Sequence, residues 1–209
     1  AGADIVAVYD TDPEKIAVFK QQFPDARVAS SEEDILEDPS IRMIATAHVP
    51  SQRGPLGVRV LDHDKDFFSD KAPFTTREQL ETARRKVEAT GRIWAVCYSE
   101  RVANESAVFA GQLIDHGAIG RVLQVIGMGP HRLNADSRPP WFFQRQAVGG
   151  ILTDIGSHQI EQFLYYTGAQ DARVTGSRVA NYHHPHYPEL EDFGEANLVA
   201  DNGATNYFR

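Results

Sequence analysis

Apolar, β-branched runs alternate with amphipathic stretches through the first hundred residues. Residues 4–9 (DIVAVY) read as a buried strand closing on Asp10. Asp12-Pro13-Glu14 then opens a helix, with Asp12 as N-cap and Pro13 at the first helical position. Ile16, Val18, Phe19 and Phe23 supply much of its apolar face. Val28 and Ala29 form a short strand, and Ser31-Glu32-Glu33-Asp34 is a capping box before Ile35-Leu36. Residues 41–47 are another apolar run, followed by a Pro/Gly-rich turn from Pro50 to Pro55 and a helix over 56–62. Residues 66–69 form a strand, 76–90 a charged amphipathic helix and 93–98 a further strand. Strands alternating with helices of this length predict a parallel sheet covered on both faces.

Beyond residue 98 the pattern changes. A helix is expected over 104–116, a strand over 122–127, a Pro- and Arg-rich loop over 129–140 and a second helix over 154–166. The stretches 174–181 and 195–209 read as strands of an antiparallel sheet, with Asp201-Asn202-Gly203 as a hairpin turn. The fold class is therefore α/β. Residues 1–98 make a partial dinucleotide-binding Rossmann domain, and 99–209 a partial α+β domain with an open, mainly antiparallel sheet. A first strand ending in an acid matches the second strand of a dinucleotide-binding fold, whose first strand lies mid-sheet before a Gly-rich phosphate loop. No G-x-G-x-x-G occurs in the sequence, so both that strand and that loop are expected outside it, as is the completion of the last sheet.

Composition narrows the partners. The 209 residues are 42% hydrophobic and 24% charged, the balance of a globular protein with a real core. A net charge of −8 lacks the basic face that nucleic acids require. The single cysteine, Cys97, rules out an internal disulfide, reads as a buried structural thiol and suits the cytoplasm. No apolar run approaches the ~20 residues of a membrane helix, and the first residues lack a signal-peptide pattern.

Three segments carry candidate chemistry. Lys71, in Ser69-Asp70-Lys71-Ala72, follows a strand, so it either reaches the crevice where parallel sheets bind ligands or lies in a surface turn. In Gly149-Gly150-Ile151-Leu152-Thr153-Asp154-Ile155-Gly156-Ser157-His158, helical spacing puts Asp154, His158 and Glu161 on one face. An aspartate one turn from a histidine can hold the ring for acid–base work, although an N-cap aspartate and a structural histidine share that spacing. His131 and Arg132, with Trp141 nearby, lie in a loop that either shapes a substrate pocket or simply turns. The histidines of Asn181-Tyr182-His183-His184-Pro185-His186 read as a solvent loop rather than a metal site, because no carboxylate stands nearby at ligand spacing.

Taken together these segments resemble the Gfo/Idh/MocA oxidoreductases. Asp70-Lys71-Ala72 resembles that family's Glu-Lys-Pro segment, with Asp70 and Ala72 as departures. Gly149-Gly150 through Asp154, Gly156 and His158 resembles its glycines followed by D-x-G-x-H. Residues 98–101 look like its crossing between domains, and Ile119-Gly120-Arg121-Val122 like the turn into its second domain.

The resemblance implies a nicotinamide cofactor and hydride transfer at a carbinol or carbonyl carbon of a sugar, cyclitol or related polyol. It implies Lys71, Asp154 and His158 as catalytic residues and Asp10, His48, Asp70 and Lys71 at the cofactor. Substrate would meet His131, Arg132, Trp141 and Asp154. Asp10 favours NAD over NADP, since a carboxylate accepts both ribose hydroxyls and no cation stands beside it before Lys15. A homo-oligomer formed through the second sheet is expected, and no metal. The rival readings are a non-catalytic ligand-binding protein on this scaffold and an NAD-dependent glycoside-cleaving relative.

Overall fold

The computed structural model describes residues 2–209. Its first half is built from parallel strands in two sheets. β1 (Ala7–Val8) leads through α1 (Pro13–Gln22) to β2 (Arg27–Val28), its parallel partner. After α2 (Glu32–Leu36), β3 (Met43–Thr46), α3 (Pro50–Asp62), β4 (Asp66–Asp70), α4 (Arg77–Thr90) and β5 (Trp94–Cys97) form a second sheet in the order β3-β4-β5.

The expected helix starts hold, because capping is a local bargain between a side chain and orphan backbone amides. Asp12 accepts from Glu14 N at 2.9 Å, with Pro13 following. Ser31 Oγ accepts from Asp34 N at 3.2 Å, while the return arm of the box goes one residue earlier, from Ser30 N to the Asp34 carboxylate at 2.9 Å. Thr76 and Asn104 cap their helices in the same way.

The first strand and the first helix depart from expectation. The strand read at 4–9 pairs only across Ala7 and Val8, and Ile5 and Val6 are exposed, because β1 has a neighbour on one edge alone among the described residues. Its helix buries nothing: Val18 is 61% exposed, and Phe19 packs instead on Phe23, with ring centroids 4.8 Å apart.

The supposed turn at 50–55 is the start of α3. Pro50 occupies its first turn, where a missing N–H costs nothing. Pro55 lies inside the helix and cannot donate to the Ser51 carbonyl. Gln79 Nε2, from α4, donates to that carbonyl at 2.9 Å. The two helices meet closely there, since a Cβ on Gly54 would lie 3.2 Å from Gln79 Cβ. Beneath them Val60, Leu61, Leu36 and Phe67 form a buried cluster, with Trp94 edge-on to Phe67 at 4.7 Å.

The second half begins with α5 (Ser99–Val102) and α6 (Glu105–Asp115), then β6 (Gln124–Gly127). Two 3-10 turns, Ala135–Ser137 and Pro140–Phe143, precede α7 (Arg145–Val148), α8 (Ile151–Asp154) and α9 (Gly156–Thr167). β7 (Ala172–Ala180), β8 (Phe193–Ala200) and β9 (Thr205–Phe208) complete a sheet of order β6-β9-β8-β7. Its long strands are antiparallel and β6 joins β9 in parallel, so the sheet is mixed and mainly antiparallel.

The helix read at 154–166 is thus two helices that meet at Ile155. α9 lies across the sheet, and fully buried Phe163 packs with Leu198, Phe208 and the alanines of β8. The approach is close enough that a Cβ on Gly156 would come within 2.7 Å of the Phe208 ring.

Candidate active site

Lys71 follows β4 directly, and the peptide joining it to Ala72 is cis. The segment is held by Arg53 of α3, which is 5% exposed. Its Nε donates to the His48 carbonyl at 2.6 Å, and Nη1 donates to the carbonyls of Lys71 and, at 3.3 Å, Ala72. Nη2 lies 3.6 Å from the Asp70 carboxylate. Burial draws the guanidinium pKa down, while Asp70 and Asp154 oppose that shift. A planar fork of donors suits the task of joining the ends of β3 and β4, which a lysine could not do. Arg53 was missed in the sequence because it sits within the supposed Pro/Gly turn.

From this anchored position the Lys71 ammonium reaches the Asp154 carboxylate in a direct ion pair and the Asp154 carbonyl at 3.3 Å. Their side chains are 19% and 14% exposed, so the pair is largely screened from water. Asp154 ends α8, whose start is fixed by Glu191: its Oε2 accepts from Ile151 N at 2.8 Å, and its carboxylate also pairs with Arg145. Gly149 and Gly150, both at φ +91°, let the chain turn from α7 into α8. A Cβ on Gly150 would lie 2.4 Å from the Glu191 oxygen. Gly150 therefore makes room for the capping carboxylate, while a Cβ on Gly149 would press on Thr153 and Thr75.

His158, one turn beyond Asp154, is 4% exposed and lies edge-on to Tyr98 at 5.9 Å. Its Nδ1 is enclosed and has no hydrogen-bond partner. Burial lowers its pKa below the usual 6.5; Lys71 and His131 push the same way, while Glu100 and Asp154 oppose them. Glu161, the third residue of the face, pairs with Arg101 Nε at 2.5 Å, and Arg101 lies over the Tyr165 ring at 4.2 Å. The whole face thus docks on β4's end and on residues 98–101.

The other expected site residues divide. His131 belongs to this neighbourhood, with Nε2 3.0 Å from Glu100 Oε1 and Nδ1 2.9 Å from the Gly129 carbonyl. Arg132 is exposed and Trp141 half-buried, and neither makes a side-chain hydrogen bond to Lys71, Asp154 or His158. The His48 ring turns to Glu32 Oε1 at 3.1 Å, so its contribution at the site is its carbonyl.

Asp10 stands at the end of β1 and accepts from Asp12 N at 2.8 Å. The first turn of α1 brings Lys15 back to 4.0 Å from Asp10 and 3.9 Å from Asp12, a cation closer in space than in sequence. In the histidine loop, Asp192 accepts from Tyr182 N and His183 N and meets His184 Nδ1, each at 2.8 Å. That carboxylate, absent from the linear reading, closes the loop. Among the described residues no three His, Cys, Asp or Glu side chains are grouped to hold a metal, and no helix is long and apolar enough to cross a membrane.

A parallel α/β unit joined to a helix-backed mixed sheet defines a Rossmann-plus-open-sheet fold. Residues 108–209 of the chain match the GFO/IDH/MocA C-terminal domain. It is 25% identical over 209 residues to scyllo-inositol 2-dehydrogenase (NAD(+)) of Bacillus subtilis (strain 168), covering 97% of this chain and 58% of that protein. It is 25% identical to levoglucosan dehydrogenase of Pseudarthrobacter phenanthrenivorans over 77% of this chain and 42% of that one. The crystal structure of a protein from Erwinia carotovora atroseptica SCRI1043 superposes with a TM-score of 0.93 at 52% identity, over 98% of this chain and 61% of that one. The chain therefore spans 42% to 61% of the lengths of these relatives.

Proposed function

We propose that the chain carries the catalytic centre of a nicotinamide-dependent dehydrogenase acting on a CH–OH carbon of a sugar, cyclitol or related polyol. The observation that carries this reading is the ion pair between Lys71 and Asp154 beside His158, whose enclosed Nδ1 lacks a partner. The curated relatives are named as dehydrogenases of scyllo-inositol, levoglucosan and D-xylose.

The residues fit such a cofactor. An unpartnered, buried imidazole nitrogen is costly unless a ligand or its water meets it. Asp10 has one carboxylate oxygen engaged by Asp12 N, leaving the other for a ribose hydroxyl. Asp10, Asp12 and Lys15 together carry a net charge of −1, which still disfavours a 2′-phosphate, and we assign NAD in preference to NADP. Bound nicotinamide supplies the hydride acceptor.

The protein's own residues handle the proton. His158, with its pKa lowered, is neutral at pH 7 and takes the proton of the reacting hydroxyl. Asp154 accepts a hydrogen bond from the substrate and fixes its orientation. The Lys71 ammonium, held at one place by Arg53 behind it, stabilises negative charge developing on the oxygen.

Residues 1–98 would bind the cofactor and 99–209 the substrate. The unpaired edges of β1 and β3 support a further strand and Gly-rich phosphate loop between them, supplied from outside these residues. Ile126, exposed on β6, supports a second copy of the chain against the open sheet. Half-buried, unpaired Cys97 accords with a reducing cytoplasm. The test is a titration of the full-length protein with NADH, followed by turnover on a panel of inositols and aldoses. Tight NADH binding with turnover of at least one of them supports the reading; absence of both refutes it.

A further inference from the structure

We propose that the substrate is a glycoside or disaccharide rather than a free monosaccharide, with its second ring held in a cleft beyond Asp154. This rests on the reading of Lys71, Asp154 and His158 as the reacting centre. A cleft of about 520 Å³ opens between the two 3-10 turns and residues 186–189. That volume falls in the ordinary range for small-molecule sites. A narrow cavity of about 30 Å³, lined by Asp154, shares two of its walls, Gln144 and Glu189, with the cleft. It is far too small for a sugar ring, so a second ring would lie in the larger cleft.

The lining decides the ligand's class. Phe143 and Tyr187 stack at 3.7 Å in one wall, an apolar plate of the kind on which the C–H face of a sugar rests. Around it stand donors and acceptors together. Arg138 gives its Nε to the Leu133 carbonyl and lies over Phe142 at 4.4 Å, and its two terminal amino groups bond nothing among the described residues. Asp136 and His186 likewise have no side-chain hydrogen bond there.

One arginine against Asp136 and Glu189 leaves the wall with a charge of −1 when His186 is neutral, which rejects a phosphate or carboxylate. An apolar ligand would strand these polar groups without partners. A neutral ring whose hydroxyls both donate and accept satisfies both kinds.

The test measures binding, by calorimetry and saturation-transfer NMR on the full chain, with and without NADH. The probes are methyl α- and β-glucosides against maltose and cellobiose. At least one disaccharide is expected to bind about tenfold more tightly than its methyl glycoside, the effect of one or two net hydrogen bonds. Arg138→Ala and His186→Ala, both at exposed positions, should each erase that advantage and leave the methyl glycosides unchanged. Asp154→Asn should weaken both kinds of probe.

Equal affinity for the two kinds, or an advantage that survives both cleft variants, overturns the second-ring site and leaves the proposed function standing. Tighter binding of glucose 1-phosphate than of either disaccharide overturns it in favour of an anion site. Failure of every glycoside to bind, or indifference of binding to Asp154→Asn, removes the reading of the reacting centre and the extension with it.

Discussion

Lys71 and Asp154 stand 83 positions apart and form a direct, largely buried ion pair, one from the end of a parallel strand and the other from the helix over the mixed sheet. The pair closes the junction of the two sheets and sets a cation and a carboxylate beside one imidazole. Lys71→Ala should lower turnover by about 10²–10³-fold, the usual loss when a preorganised donor to a developing oxyanion is removed. His158→Ala should lower it by roughly 10²–10⁴-fold, the range for a general base, with NADH affinity unchanged. Steady-state kinetics and an NADH titration check both. A His158 variant that weakens NADH binding as much as it lowers turnover would contradict its proposed role as the base.

The pH dependence follows from burial of His158. Its folded pKa lies below 6.5, so between that value and 6.5 the unfolded chain binds more protons than the folded one. Stability then rises with pH through this window, is complete above about 6.5 and is lost as pH falls below it. Urea unfolding at pH 7.5, 6.0 and 5.0 should show wild type losing more stability on acidification than His158→Gln. The acid limb of turnover should also lie below 6.5, because the neutral ring is the active form.

Arg53 fastens the site from behind. Arg53→Met would leave the carbonyls of His48, Lys71 and Ala72 without their donor, at about 1–3 kcal/mol for each one that water cannot reach. A loss of about 3 kcal/mol or more in urea unfolding is expected. Arg53→Lys should recover only part of it, since an ammonium lacks the fork that meets three carbonyls. Full recovery by lysine would show that charge alone matters at this position.

What could be read along the chain was what depends on neighbours in sequence. Asp12, Ser31, Thr76 and Asn104 cap helices within three residues of themselves, and Asp201-Asn202-Gly203 turns a hairpin on its own chemistry. The roles of Arg53 and Asp192 depend on contacts 5 to 19 residues away, which no local pattern records. The apolar face of α1 was legible as a face, but periodicity cannot say what covers it. Lys71 and Asp154 were individually ambiguous; only two motifs in order, matched to a family, drew them together.

At Asp10 the expected selectivity is testable by exchange. Asp10→Ser removes the carboxylate proposed to meet the ribose and leaves Lys15 with Asp12 alone. NADH should bind about tenfold more weakly, the loss of one charge-assisted hydrogen bond, and NADPH more tightly than in wild type. Parallel fluorescence titrations measure the ratio. Tighter binding of NADPH than NADH by the wild-type protein would contradict the reading.

The contact between α3 and α4 makes the last prediction. Pro55 leaves the Ser51 carbonyl without its helical donor, and Gln79 Nε2 replaces that donor at 2.9 Å. Gln79 Oε1 also accepts from Thr75 N at 2.9 Å, so the side chain joins the start of α4 to the first turn of α3. Gln79→Ala strips both bonds and should cost about 1–3 kcal/mol, because the stranded carbonyl is shielded by the helix packed on it. In a Pro55→Ala background, residue 55 can donate to Ser51 itself, and Gln79→Ala then removes only the Thr75 bond. The penalty for Gln79→Ala should shrink by about 1 kcal/mol in that background, a coupling read directly from a double-mutant cycle in urea. Equal penalties in the two backgrounds would show that the Gln79 amide is not what the proline made necessary.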